Sequence, residues 1–94
     1  MKKSQFFYGS RPGFKMTFEN GWTVSVQWHN GAYCENKNNE YAPGFEQDPT
    51  CQSAEIAAWD SKGKWYEFEL TKDQVEGYKS TDEVAEFIHM IKSL

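Results

Sequence analysis

No apolar run in this 94-residue sequence is long enough for a signal-peptide core or a membrane span. The N-terminus places Lys2 and Lys3 ahead of Phe6, Phe7 and Tyr8, but turns polar again at Gly9, Ser10 and Arg11. A cytoplasmic protein without a membrane partner is therefore expected. No glycine-rich phosphate loop precedes a helix, and neither C-x-x-C nor H-x-x-x-H spacing occurs. Cysteine is limited to Cys34 and Cys51. With His29 they offer three scattered ligands, and a fourth would have to be an acid such as Asp48, whereas a structural zinc takes four. No metal and no cofactor are expected. In a reducing cytoplasm the two cysteines read as free thiols; in an oxidising compartment a bridge would staple the loop between them. Basic charge is also scarce beyond the start of the chain. Residues 1–18 hold Lys2, Lys3, Arg11 and Lys15 and no acid, whereas residues 19–94 carry a net charge of −8. An acidic body argues against binding a nucleic acid polymer, which depends on neutralising phosphates. It suits a basic partner surface, or a neutral ligand held by hydrogen bonds and stacking.

What the chain has in quantity is rings. Aromatic residues make up 17% of the sequence while aliphatic ones are few, so one modest core built from aromatics is expected in a single domain, 1–94. Phe14, Met16 and Phe18 alternate with polar residues, and so do Trp22, Val24, Val26 and Trp28. Two such runs around Glu19-Asn20-Gly21 spell a β-hairpin. A two-residue Asn20-Gly21 turn would put the two apolar sets on opposite faces, because a one-residue slip flips every side chain. A three-residue loop pairs Phe18 with Trp22, Met16 with Val24 and Phe14 with Val26, with Gly21 in the positive-φ position of a G1-type bulge. Trp22 and Trp28 then belong to the core. The same rule applied to Ser61-Lys62-Gly63 pairs Ala58 with Tyr66, Ile56 with Phe68 and Ala54 with Leu70. On the opposite face it sets Trp59 directly against Trp65.

The connections are less regular. Residues 1–12 read as a tail or a short edge strand, punctuated by Pro12-Gly13. Residues 29–51 form a long loop without periodicity; such loops are usually functional or disordered, and Tyr33, Tyr41 and Phe45 favour one packed on the body. Residues 71–79 read as an irregular segment pinned by Val75 and Tyr78. The chain ends in a helix over 80–93. Ser80 and Glu83 make a capping box, Asp82 and Glu83 sit where the helix dipole favours acids, and Val84, Phe87, Ile88 and Ile91 form one apolar stripe. Burying that stripe is worth roughly 6–10 kcal/mol before ordering entropy. The expected fold is α+β: an antiparallel sheet of two hairpins, about four strands, with the C-terminal helix on one face.

Catalytic constellations are weak. His29 and Cys34 are close in sequence, but Glu35 would raise the thiol's pKa rather than activate it. Glu67 and Glu69 read as a solvated strand edge, and His89 as a solvated helix flank. An enzyme is not expected. Binding is the better reading. The outer sheet face offers Lys15, Thr17, Thr23, Ser25, Gln27 and His29 from one hairpin, and Glu55, Ala57, Trp59, Trp65 and Glu67 from the other. Trp59 and Trp65, with Tyr33, could stack a flat ligand or anchor a partner. Gln27, His29, Asn36 and the other loop asparagines could read polar edges, and Arg11 and Lys15 could meet phosphates. The bland alternative is a covered cross-strand Trp pair and ordinary turn asparagines.

The runs Met16-Thr17-Phe18-Glu19-Asn20-Gly21-Trp22-Thr23-Val24-Ser25-Val26-Gln27-Trp28, Tyr33-Cys34, Ala54-Glu55-Ile56-Ala57-Ala58-Trp59 and Val75-Glu76-Gly77-Tyr78, ahead of an Asp82-Glu83-Val84 helix, resemble small proteins of tailed bacteriophages that have no assigned activity. The resemblance spans most of residues 14–92 and carries no catalytic motif. It implies expression in an infected bacterial cytoplasm and a counter-defence role. The protein would sequester a small nucleotide-type signalling ligand, block a host protein, or serve as a minor virion or assembly component. The oligomeric state, a homo-oligomer included, is left open by the sequence.

Overall fold

Both three-residue turns form as their glycines require. In the computed structural model, which describes residues 4–42 and 50–94, Gly21 has φ 89° and donates its N–H to the Phe18 carbonyl at 2.9 Å. Phe18 in turn donates to the Trp22 carbonyl at 2.8 Å. This closes the hairpin between β2 (Gly13–Thr17) and β3 (Thr23–Gln27) in the expected register, with Phe14 opposite Val26 and Met16 opposite Val24. Gly63, at φ 83°, closes the second turn in the same way, and the Asp60 carboxylate accepts the backbone N–H groups of Lys62 and Lys64, each at 2.9 Å. Those bonds hold the Asp60 carboxyl below its usual pKa, the one from Lys64 most of all. Trp59, the last residue of β4 (Ala54–Trp59), faces Trp65, and Tyr66 donates to the Ala58 carbonyl at 2.8 Å.

Beyond Tyr66 the second hairpin departs from the alternation. The expected pairs Ile56–Phe68 and Ala54–Leu70 do not form. Instead the chain turns back: Phe68 donates to the Asp73 carbonyl and Lys72, at φ 62°, to the Phe68 carbonyl. Leu70 is left 97% exposed. The cause is aromatic packing. Tyr66 and Phe68 meet each other and Phe87 with centroids 5.2–5.9 Å apart, which draws them over the helix side and away from the strand line. The vacated place beside β4 is taken by β5 (Glu76–Lys79), paired Ala54–Lys79 and Ile56–Glu76 across a register shift. The segment expected to be irregular thus holds a strand, and Tyr78 stands exposed on it. At the opposite edge β1 (Gln5–Phe7) pairs with β2. Among the described residues the sheet has five antiparallel strands in sequential order rather than about four.

Helix α1 (Thr81–Lys92) follows β5 directly and packs on β3, β4 and β5. Its capping box is complete: the Ser80 hydroxyl accepts from Glu83 N–H at 3.2 Å, and the Glu83 carboxylate accepts from Ser80 N–H at 2.9 Å. Phe87 and Ile91 are buried, with Val84 and Ile88 half-buried beside them. No helix among the described residues is long and apolar enough to cross a membrane.

The C-terminal end of α1 is held by the first hairpin. Asn20 Nδ2 lies 2.9, 3.2 and 3.1 Å from the carbonyl oxygens of Ile91, Lys92 and Leu94, while its Oδ1 accepts Trp22 N–H at 3.0 Å. One turn side chain therefore supplies donors at the C-terminal end of the helix, where the Ile91 carbonyl also accepts Leu94 N–H at 3.2 Å. Asn20→Asp keeps the acceptor for Trp22 but replaces the donor by a negative charge at the negative helix end. Urea denaturation should show a loss of about 2 kcal/mol. Phe87→Asp, which buries an unpaired charge, should abolish the cooperative transition.

Candidate functional site

The register aligns the outer-face side chains in rows across the sheet, because directly opposed residues share a face. The first row is Gln5, Thr17, Thr23, Trp59 and Trp65; the second is Phe7, Lys15, Ser25 and Ala57; the third is Gly13, Gln27 and Glu55. The middle of this face is closed. Thr17, Thr23, Ser25 and Ala57 are all buried, the Thr17 and Thr23 hydroxyls bond each other at 2.8 Å, and Ser25 Oγ lies 3.0 Å from Gln27 Nε2. The hydroxyls expected to read a ligand are spent on one another.

Apart from Phe7 and Lys15 at the β1–β2 side, what remains accessible lies toward the two ends of the face. At one end the Trp59 and Trp65 rings are 5.0 Å apart and tilted by 39°, with Trp59 half-buried and Trp65 40% exposed. At the other end Arg11, His29, Asn30, Tyr33 and Glu55 gather round the start of the long loop. The Arg11 guanidinium donates to Asn30 Oδ1, Gly31 donates its N–H to His29 Nδ1 at 3.0 Å, and Tyr33 donates its N–H to Glu55 at 3.1 Å. Lys37 Nζ sits 4.6 Å from the half-exposed Tyr33 ring. Trp59 and Glu55 are four residues apart on β4, roughly 13 Å at the strand rise. The structure therefore separates Trp59 and Trp65 from Arg11, His29 and Tyr33. Lys15 lies between the two ends, its ammonium 5.7 Å from the Phe7 ring centroid.

Two of the expected polar readers have structural partners. Asn36 is buried and donates to the Trp28 and Thr50 carbonyls, both at 2.9 Å, pinning the loop to the sheet end. Gln27 Nε2 reaches the Phe14 carbonyl at 3.4 Å as well as Ser25. Residues 1–3 and 43–49 lie outside the described residues, and with them Lys2, Lys3, Phe45 and Asp48.

Tyr78 is the accessible aromatic that sequence reasoning misplaced. It adopts φ 56° and donates its N–H to the Tyr33 carbonyl at 2.8 Å, so the two exposed tyrosines are tied through their backbones. Gly77 permits this approach: a Cβ there would come within 2.3 Å of the Tyr33 Cβ. A glycine inside a strand was the available signal, since it marks a close backbone approach.

Two titratable groups at this end are shifted by their surroundings. Cys34 is buried, and desolvation pushes its thiol pKa up, with Cys51 beside it adding to the rise against an opposing bond from Asn36. Its thiol donates to the His29 carbonyl oxygen at 3.6 Å, a bond to backbone and not to the imidazole. A thiol held protonated is a weak nucleophile. Among the described residues no three His, Cys, Asp or Glu side chains are grouped as metal ligands. Desolvation, then the Arg11 charge, lowers the His29 pKa against an opposing pull from Glu55. No protein-family model, curated protein or solved structure matches the chain.

The direction of the His29 shift sets a pH dependence. The folded state prefers neutral imidazole, so its contribution is present above the ordinary value of 6.5 and is lost as pH falls through the lower folded pKa. Protonating Nδ1 would also remove the acceptor for Gly31. His29→Asn, whose Oδ1 can accept that bond without titrating, should flatten the fall in melting temperature below pH 6.5. A disulfide reagent should label Cys51 in the native protein but Cys34 only on unfolding, because Cys34 is 1% exposed.

Proposed function

We propose that this is a non-enzymatic binding domain that docks a protein through the Trp59–Trp65 end of its outer sheet face. The observation that carries the reading is a partly exposed Trp pair on a face whose centre is filled. A small-molecule sequestering site needs a concavity that engulfs most of its ligand. A protein partner needs only an anchoring aromatic cluster with a water-excluding surround, and Trp is enriched among such anchors. The acidic body favours a basic partner. Following the resemblance to tailed-phage proteins, the partner is a host protein in an infected bacterium and the role is counter-defence. A second reading is sequestration of a nucleotide-type ligand at the other end. It is favoured by the half-exposed Tyr33 ring standing beside Lys37, with Arg11 in the same cluster.

The two readings separate on substitution. Trp65→Ala removes a ring that is 40% exposed and should leave the melting temperature nearly unchanged. Its affinity for the partner should fall by about thirty-fold or more, the loss of one hot spot. Equal retention of the same host proteins by wild type and Trp65→Ala would sink the docking reading. A melting temperature raised by cyclic nucleotides or ADP-ribose derivatives, and no longer raised in Tyr33→Ala, would establish the second reading instead.

A further inference from the structure

Two cysteines far apart in sequence meet at the end of the sheet that carries the long loop. Buried Asn36 donates to the Thr50 carbonyl at 2.9 Å. Glu35 Oε1 accepts the Ser53 hydroxyl at 2.7 Å and the Cys51 thiol at 3.3 Å. These three bonds clamp residues 34–36 to residues 50–53, with Cys34 on one side of the clamp and Cys51 on the other. Each side is also held on its own account. The Cys34 carbonyl accepts Lys37 N–H at 3.0 Å, its N–H donates to the Ala32 carbonyl at 3.0 Å, and Ser53 leads straight into β4. The two thiols are near enough to interact directly, side chain to side chain.

The thiols differ in what can reach them. Cys34 is 1% exposed. Cys51 is partly accessible and borders an open cavity of about 340 Å³, with Trp28, Ser53 and Val84 also on its walls. A solute as small as a peroxide can therefore meet Cys51 and not Cys34. The Glu35 carboxylate stands where the Cys51 proton has to go. The Ser53 hydroxyl, more than any other contact, holds the Glu35 carboxyl below its usual pKa, so it remains an ionised acceptor. An accessible thiol beside a second, resolving thiol is the arrangement that redox-responsive cysteines commonly take.

We infer that Cys51 is an oxidation site for hydrogen peroxide and that Cys34 resolves it into an intramolecular disulfide. The Cys51 sulfur attacks one peroxide oxygen, the O–O bond breaks, and a sulfenic acid forms. The Cys51 proton passes by way of Glu35 to the departing oxygen, which leaves as water. The Cys34 sulfur then attacks the sulfenic sulfur and the S–O bond breaks. The hydroxide released takes the Cys34 proton. Two thiols have lost two electrons and two protons, and one peroxide has become two waters. Burial slows ionisation of Cys34, but groups held side by side react as if at very high concentration, which offsets it. The bridge closes residues 34–51 into a ring that begins one residue after Tyr33, so oxidation bears directly on that end of the face.

Treating the full native chain with hydrogen peroxide tests the inference by mass spectrometry. Wild type should lose two hydrogens, resist alkylation after denaturation, and yield a Cys34–Cys51 linked peptide that dithiothreitol separates. Its melting temperature should rise by roughly 5–15 °C, because the bridge restricts the unfolded chain. Cys34→Ser should halt at the Cys51 sulfenic acid, which dimedone captures, while wild type takes up little dimedone. Cys51→Ser should keep Cys34 reduced until the chain unfolds. A disulfide reagent attached to Cys51 should be expelled on standing in wild type and retained in Cys34→Ser. A wild type whose two thiols both remain alkylatable after peroxide would overturn the inference. So would a bridge that forms only between chains, that closes as fast in urea as in the native state, or that lowers the melting temperature.

Discussion

Asn20 joins the two halves of the molecule. Its side chain lies in the first tight turn, accepts a bond from Trp22, and offers its amide to three carbonyls at the end of α1. The helix contacts the sheet through Phe87 and Ile91, contacts that are non-directional and would tolerate sliding. The Asn20 bonds are directional and separated by about seventy residues of sequence, so they index the helix axially against β3. At the other end α1 is indexed by Ser80, which follows β5 without an intervening loop. With both ends tied, the apolar stripe meets Val24, Val26, Ile56 and Ala58 in one alignment.

The central strands are buried from both sides. In β3, Thr23, Val24, Ser25 and Val26 are all inaccessible, although only the valines face the helix. The outer layer over them is made of small polar side chains bonded among themselves. Much of the accessible surface of this face accordingly lies at its periphery, at the tryptophan end and at the tyrosine and arginine end.

Much of this was legible in the residues. Period-two alternation and a glycine closing each three-residue turn were enough to set the pairings of Met16, Val24, Ala58 and Trp59, because a wrong register would expose a whole apolar set. The capping box at Ser80 and Glu83 was equally local. What escaped was decided by distant contacts. Tyr66 and Phe68 carry the alternation of a strand, yet packing against Phe87 pulled them off it and freed the β4 edge for residues 76–79. Residues 76–79 have no apolar alternation at all; their strand is made by the vacancy beside β4. Burial of Thr23 and Ser25 was likewise hidden, since hydroxyl residues on a presumed outer face look solvated until the neighbouring strand is known. Asn20 looked like a turn residue and is that, but its reach to the helix end depends on the tertiary fold.

Asn20 is followed by Gly21, and that dipeptide carries a clock. In flexible chains the glycine nitrogen attacks the preceding side-chain amide, releasing ammonia and leaving aspartate or its isomer; asparagine is among the thermolabile residues for this reason. Here the Gly21 N–H is engaged by the Phe18 carbonyl and the Asn20 amide nitrogen by the helix end. The native fold thus holds both reactants away from the cyclising geometry. Each excursion that opens the clamp exposes the pair to chemistry, and the product can no longer donate to the helix. Chemical ageing in this protein is coupled to the same contact that aligns its two layers, so a preparation stored near its unfolding transition would lose stability, by about 2 kcal/mol, before any peptide bond is cut.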